Sequence, residues 1–268
     1  MNHIPDNTAK EFLELSSEQR LGIVLRLFEK KSNVSTMAKE LDATVPEVYR
    51  NFERLVKAEL IAKDTDGNYY LTTYGKTVYA QIPSLVFVSQ NKKYFRNHDF
   101  GDLPQKFIQR IGVLNDGQHI KGFVKVLECW KEIYKNANEY INNILSEVPY
   151  TSDLMEPLVN RLKNNIKVNS IFSESAIIPN ERKKMLDKID FKKYIEEGLI
   201  ERKMKKDVSV ALVLNEKEAG IIFPTADGNT DMSEMYYSSQ PRFHEWCLDY
   251  FRYCWDNAST FQESKLKQ

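Results

Sequence analysis

The sequence predicts an α+β N-terminal domain followed by an α/β layered C-terminal domain. Three observations carry this. Residues 16–75 read as helix, helix, short turn, helix, hairpin and the start of a further helix. Residues 121–258 alternate helical spacing with short strand-like runs. A length of 268 residues with 42% hydrophobic content is enough for two compact cores.

Residues 1–9 carry no periodic pattern and are expected to fray. Ser16-Ser17-Glu18-Gln19 reads as a capping box, with Ser16 as N-cap and Gln19 at N3. It opens a helix that turns Leu21, Val24, Leu25 and Phe28 inward. Asn33 to Leu41 is a second, short helix with Met37, Ala38 and Leu41 inward. After the tight Asp42-Ala43 connection, Thr44-x-x-Glu47 is another capping box. Pro46 stands in the first turn, where its missing N–H is tolerated. This third helix runs to about Glu59. Leu60-Ile61-Ala62 and Tyr69-Tyr70-Leu71 flank Asp64-Thr65-Asp66-Gly67-Asn68, a hairpin with an Asp-Gly turn. Thr72 caps a fourth helix, which Pro83 ends or kinks. The expected organisation is a domain over 10–82, a linker over 83–99 and a second domain over 100–260.

In that second domain, 100–115 is irregular and then helical. Lys121 to Asn138 has helical spacing at Val124, Leu127, Trp130 and Tyr134. Tyr140 to Ser146 reads as a strand, Asp153 to Asn164 as a helix, Ile166 to Phe172 as a strand and Arg182 to Tyr194 as a helix. Ile200–Met204, Val208–Leu214 and Ala219–Phe223 are strands, the last two joined by Asn215-Glu216-Lys217-Glu218. A long helix from Pro241 to Ala258 closes the chain. On it Phe243, Trp246, Cys247, Tyr250, Tyr253 and Cys254 form a broad apolar face. Phe251 and Trp255 fall off that face and leave room for a second contact surface. The run Glu201-Arg202-Lys203-Met204-Lys205-Lys206 is expected to be a solvated strand edge.

On the third helix, successive residues turn by about 100°. Val48, Phe52 and Leu55 then share a narrow inward arc, and Pro46, Arg50, Glu53 and Lys57 face out. Tyr49 lies on one flank, Arg54 and Glu47 on the other. The bland reading is an amphipathic helix with a solvated face. The complete order of elements favours a winged helix-turn-helix, whose second helix enters the major groove. Arg50 is central and its fork suits guanine or phosphate. Arg54 and Lys57 suit the backbone. Thr44 and the helix N-terminus suit a phosphate. Tyr49 suits a sugar or a thymine methyl. Pro46 stands beside them on the outward arc. Glu47 can accept from cytosine, although capping is its simpler role. Lys63 is the one cation near the wing tip, where Asp64 and Asp66 make phosphate contact doubtful.

Residues 34–75, VSTMAKELDATVPEVYRNFERLVKAELIAKDTDGNYYLTTYG, resemble the winged-helix domains of bacterial and archaeal repressors. YFRNHDFGDLPQKFIQRIGVL (94–114) and FHEWCLDYFRYCWDNA (243–258) are similar to the start and the end of the C-terminal domain in archaeal regulators of the methanogenesis-regulatory, or filament-regulator, type. The resemblance implies a transcription regulator that binds a duplex operator. It also implies a phospholipase-D-like C-terminal domain that dimerises, senses a small-molecule effector, or both.

That kinship raises an enzymatic reading, which needs His-x-Lys and a later Asp. Only His119-Ile120-Lys121 matches, and Leu127 stands six residues after Lys121. No catalytic residue, metal site or cofactor is expected: no histidine pair shares a helix face, and no phosphate-binding glycine pattern occurs. Cys129, Cys247 and Cys254 are odd in number and form no CxxC, so neither a disulfide framework nor a zinc site is indicated. The bland reading makes Cys247 and Cys254 small core residues. Net charge is zero, which argues against non-specific coating of nucleic acid. Residues 1–82 hold 11 Lys and Arg against 12 Asp and Glu, a net of about −1, so binding is expected to be modest and salt-sensitive. No signal peptide and no apolar run of membrane-spanning length is seen, so a soluble, cytoplasmic protein without a membrane partner is expected. The partners expected are an operator and a second copy of the chain.

Overall fold

The computed structural model describes residues 8–146, 152–174, 176, 189 and 191–265. The chain divides into two compact units, Met1–Pro83 and Ser84–Gln268. The first unit comprises α1 (Thr8–Leu15), α2 (Glu18–Glu29), α3 (Val34–Glu40), α4 (Val45–Lys57), β1 (Ile61–Lys63) and β2 (Tyr69–Leu71). The helix α5 (Thr73–Gln90) begins in it.

The expected fraying of residues 1–9 lies outside the described residues as far as 7; α1, which the sequence did not announce, starts at Thr8. Its presence moves the cap of α2. The Ser16 hydroxyl donates to the Leu13 carbonyl at 2.7 Å, so Ser17 is the N-cap, and its oxygen accepts from the Arg20 N–H at 3.5 Å. The Arg20 guanidinium donates to the Glu14 and Leu13 carbonyls at 2.7 and 3.0 Å, satisfying groups that the end of a helix leaves open. The inward stripe of α2 is Ile23, Val24 and Leu27; Leu25 and Phe28 are 37% and 51% exposed. Six of the eight residues from Leu21 to Phe28 are apolar, so periodicity alone did not choose the stripe. Phe28 stacks on Tyr79 instead, with ring centroids 3.7 Å apart.

Thr72 caps α5 as expected, its hydroxyl oxygen accepting from the Gly75 N–H at 2.9 Å. Pro83 neither ends the helix nor leaves a linker over 83–99. The helix runs on to Gln90, and a 3-10 turn follows at Tyr94–Arg96. An interior proline costs about 3 kcal/mol. Ile82 and Phe87, on either side of it, are both buried, and burial of such side chains contributes about 1.5–3 kcal/mol each.

The second unit is built on an eight-stranded sheet. After the short helix α6 (Gln105–Ile108) come β3 (Gln118–Lys121), α7 (Phe123–Asn136), β4 (Tyr140–Leu145), α8 (Ser152–Lys163), β5 (Lys167–Ser173), α9 (Phe191–Glu196), β6 (Ile200–Lys205), β7 (Ala211–Leu214), β8 (Ala219–Ile222), β9 (Glu234–Ser238), α10 (Pro241–Asp256) and β10 (Ser259–Thr260). The strand order is β10-β6-β5-β4-β7-β8-β9-β3. The neighbours β4, β5 and β6 run parallel, and all other pairs are antiparallel. One core lies between the sheet and α7 and α8, the other between the sheet and α10. This is the α/β layered architecture expected. Cys247 and Cys254 are fully buried in the α10 layer.

Three strands escaped the sequence: β3, β9 and β10. Their runs are short, and β3 and β10 are edges. The helix α7 begins only after Gly122; its stripe is Val126, Trp130, Ile133 and Tyr134, and Val124 is 70% exposed. Of the helix expected over Arg182–Tyr194, residues 182–188 and 190 lie outside the described residues; the described part is α9. The basic run on β6 is not a solvated edge. β10 pairs beside it, Arg202 lies 4.0 Å from the centroid of the Phe261 ring, Lys203 lies 4.7 Å from that of Trp255, and Lys205 pairs with Asp102. Among the described residues no helix is long and apolar enough to cross a membrane.

The His-x-Lys motif lies on β3, opposite β9, with His119 paired to Tyr236 and Lys121 to Glu234. His119 Nε2 is 2.6 Å from a Glu234 oxygen, its ring stacks on Tyr236 at 4.4 Å, and Tyr94 meets it edge-on at 5.0 Å. Lys121 Nζ is 3.4 Å from the same Glu234 oxygen. Burial pushes the His119 pKa below 6.5, against the pull of Glu234, with Lys121 and the nearby His98 pushing the same way as burial. The unfolded chain then takes up the proton first. The stability due to neutral His119 is full above pH 6.5 and falls as the pH drops below that value. Denaturant midpoints measured between pH 7.5 and 5 will fall on acidification, and His119→Gln will flatten part of that slope. Parallel profiles for the two proteins would contradict this.

Candidate nucleic-acid interface

α3 and α4 pack as a pair joined by a short turn in which Asp42 takes a positive φ of 50°. The roll of α4 follows from its sequence. Val48, Phe52 and Leu55 are each 0% exposed, and Arg50, Glu53, Arg54 and Lys57 are exposed on the other side. A polar clasp adds to this. Gln19 of α2 donates to a Glu47 oxygen at 2.6 Å and accepts from the Asn51 amide at 2.6 Å. Phe52 meets Tyr69 of β2 edge-on at 4.5 Å, which ties the hairpin to the same core.

Each residue singled out in the sequence has a definite place. Thr44 is the N-cap of α4, yet its side chain makes no capping bond. The expected capping box does not form, because Glu47 is engaged with Gln19. The exposed Thr44 hydroxyl thus remains at the positive end of the helix. Pro46 is exposed in the first turn. Tyr49 is 45% exposed, and a hydrogen bond to Glu53 holds its pKa above the ordinary value. Arg50 and Lys57 have no ion-pair partner among the described residues. Arg54 differs. Its Nε and Nη2 meet the two oxygens of Glu14 at 3.0 and 2.7 Å, the side-on geometry of a guanidinium and a carboxylate. That bond lowers the Glu14 pKa, with help from Arg20.

Lys63 stands on β1, on the wing rather than on the helix, with its ammonium 5.6 Å from the Tyr69 ring centroid. The wing tip is less acidic in effect than its sequence. Asp64 accepts from the N–H groups of Asp66 and Asn68 at 3.1 and 2.9 Å and pairs with Lys31 at 3.2 Å. Burial opposes its ionisation, but these bonds outweigh it and lower its pKa. Gly67, at φ +85°, closes the turn in a conformation that favours glycine. The sequence reading missed Glu14, Gln19 and Lys31. All three act through partners more than 25 residues away, which no local pattern reports.

A helix pair with a tight turn, followed by a two-stranded wing, is the winged helix-turn-helix class, here joined to an α/β sheet unit. No family model and no curated protein matches the chain. Among solved structures it is similar to TrmBL2, described as an archaeal chromatin protein with a novel mode of DNA binding, at 11% identity and a TM-score of 0.43, over 91% of this chain and 94% of that one. It is also similar to Nuc of Salmonella typhimurium, a phospholipase D family member, at 13% identity and a TM-score of 0.40, over 55% of this chain and 98% of that one. NucT of Helicobacter pylori gives 10% identity and a TM-score of 0.42, over 54% and 98%. Likenesses this loose decide nothing about function.

The burial predicts opposite outcomes for neighbouring positions. Phe52→Ala will lower the unfolding free energy by about 3–5 kcal/mol in denaturant titration. Arg50→Ala will change it by no more than about 0.5 kcal/mol.

Proposed function

We propose that the chain is a sequence-specific transcription regulator that acts in the cytoplasm and binds a duplex DNA operator. One observation carries this reading: α4 is fixed on its inner face by Val48, Phe52 and Leu55, while Arg50 is held outward without a partner among the described residues. A helix in that state can lay its N-terminal half in the major groove. Arg50 then reads a base edge, Tyr49 and Pro46 border the contact, Thr44 meets a phosphate, and Lys57 and Lys63 neutralise backbone charge. The chain acts as a homodimer on an imperfect palindrome with half-sites about one helical turn apart. The second unit pairs the subunits, senses a small molecule, or both.

The chain is read as non-enzymatic. His119 has Lys121 two residues on, but Leu127, six residues after Lys121, supplies no carboxylate. A phosphodiesterase assay tests this: turnover lost in His119→Ala would replace the regulator reading for the second unit. A second reading, a winged-helix adaptor that binds protein and no DNA, is favoured by the exposed acids Glu53 and Asp66.

Fluorescence titration against mixed genomic fragments at low and high salt separates these readings. The regulator binds in a salt-dependent manner, and Arg50→Ala weakens binding by about 1–3 kcal/mol. Glu14→Gln releases the Arg54 guanidinium and is expected to tighten binding and steepen the salt dependence by about one phosphate contact. A titration with no shift at low salt selects the adaptor. A strictly monomeric chain at micromolar concentration overturns the dimer.

A further inference from the structure

At the starting ends of the parallel strands β4, β5 and β6, under the last turns of α10, lies a cleft of about 380 Å3. That volume is in the range of small-molecule sites. Further along the same sheet face, Ile144 and Ile171 are 0% exposed and belong to the α10 core. Two residues earlier the aliphatic stripe gives way to polar groups. Asn142 and Asn169 are cross-strand neighbours, Glu201 follows on β6, and Tyr140 stands opposite Lys167. Asn169 donates to the Asn142 oxygen at 2.9 Å; Asn142 is only 5% exposed and Asn169 is half-buried, so the floor is a bonded carboxamide pair.

The wall comes from Phe251, which the structure buries in the α10 core although the sequence set it off that face, and from the half-buried Trp255. Phe251 and Trp255 stack with centroids 5.5 Å apart and an angle of 28° between planes. Lys203 holds the turn that carries Trp255, donating to its carbonyl at 2.8 Å. Four charges border the cleft: Lys167 and Arg252, Glu139 and Glu201. None of the four has an ion-pair partner among the described residues, whereas Arg110, at the other side of α10, pairs with Asp249. A simple anion would meet two carboxylates here, and a simple cation two bases. A ligand that carries both signs meets neither obstacle. Lys167 is two residues before the partner of Glu201 on the next strand, so the two backbones stand roughly 8 Å apart.

We propose that this cleft binds a small zwitterion of dipeptide size. Its carboxylate sits at Lys167 and Arg252, its ammonium at Glu201, and its apolar part against Trp255. The assignment names the ligand class for the effector role proposed above, and rests on that role only for its consequence at the operator.

Saturation-transfer NMR on the full chain, with a panel of free dipeptides that each carry one aromatic residue, tests it. Glycyl-phenylalanine and glycyl-tryptophan lead the panel, beside their N-acetylated and C-amidated forms. At least one free dipeptide binds, and blocking either end weakens it about tenfold or more. Glu201→Gln and Lys167→Gln have the same effect in chains whose circular dichroism is unchanged, while Arg110→Gln has none. The proposal is overturned if no free dipeptide binds below about 10 mM, if the blocked forms bind as well, or if both cleft variants bind like the wild type. Operator affinity measured with and without the bound dipeptide is read separately. No change there leaves the cleft assignment standing and removes the effector role.

Discussion

The burial of Val48, Phe52 and Leu55 sets everything that follows in the first unit. Successive residues of a helix turn by about 100°, so rolling α4 by a single position would carry an arginine or a glutamate inward. A charge buried without a partner costs several kcal/mol. Two further contacts hold the same roll. Gln19 bridges Glu47 and Asn51 one turn apart on α4, and Phe52 meets Tyr69 on β2. Helix and wing therefore share one core, and Arg50 is outward by exclusion rather than by any bond of its own.

Net charge is a poor guide to the field at that surface. Although the first 82 residues sum to about −1, many acids are occupied internally. Glu14 holds Arg54 and Arg20, Glu40 holds Lys30, Asp64 organises the wing turn and takes Lys31, and Glu47 serves the clasp. These pairings cut both ways. They remove acids from the surface that a polyanion would meet, but they also commit Arg54, the cation the sequence placed beside Arg50. What stays uncommitted on α4, among the described residues, is a short row, Arg50 and Lys57, with Glu53 between them tied to Tyr49. The short-range field of such a row outweighs a remote net charge, because solvent screens exposed charges beyond about 10 Å.

From α2 onward the order of elements in the first unit was legible because several boundaries carry local chemistry: Asn33 and Thr72 cap, Gly67 turns and the apolar arc of α4 is narrow. Where the apolar pattern was nearly continuous, from Leu21 to Phe28, the period could not choose a face. The capping box at Thr44 failed because a long-range partner outcompeted a local one for Glu47. In the second unit the central strands were legible from their apolar content, whereas β3, β9 and β10 take their identity from neighbours far along the chain. Of the residues proposed for the interface, Arg50, Tyr49 and Lys57 were placed on the exposed side of α4 by helix geometry alone, and the commitment of Arg54 to Glu14, 40 residues away, was out of reach of any window.

The polar residues of β4 look like flaws in a central strand, yet they fix its register. Asn142 stands opposite Asn169 and bonds to it; Asn143, on the other face, stands opposite Ser170, donates to its hydroxyl at 3.3 Å and accepts from Tyr134 at 3.0 Å. A slip of one residue between β4 and β5 would turn both asparagines to the wrong face and leave buried amides unpaired. Aliphatic residues at these positions would tolerate several registers, whereas the amides tolerate one. That register is also what sets Tyr140 against Lys167, and Asn169 against Glu201 on the next strand. The cleft under α10 is thus assembled by the same bonds that align the parallel strands, and its charges keep their spacing as long as the sheet keeps its order.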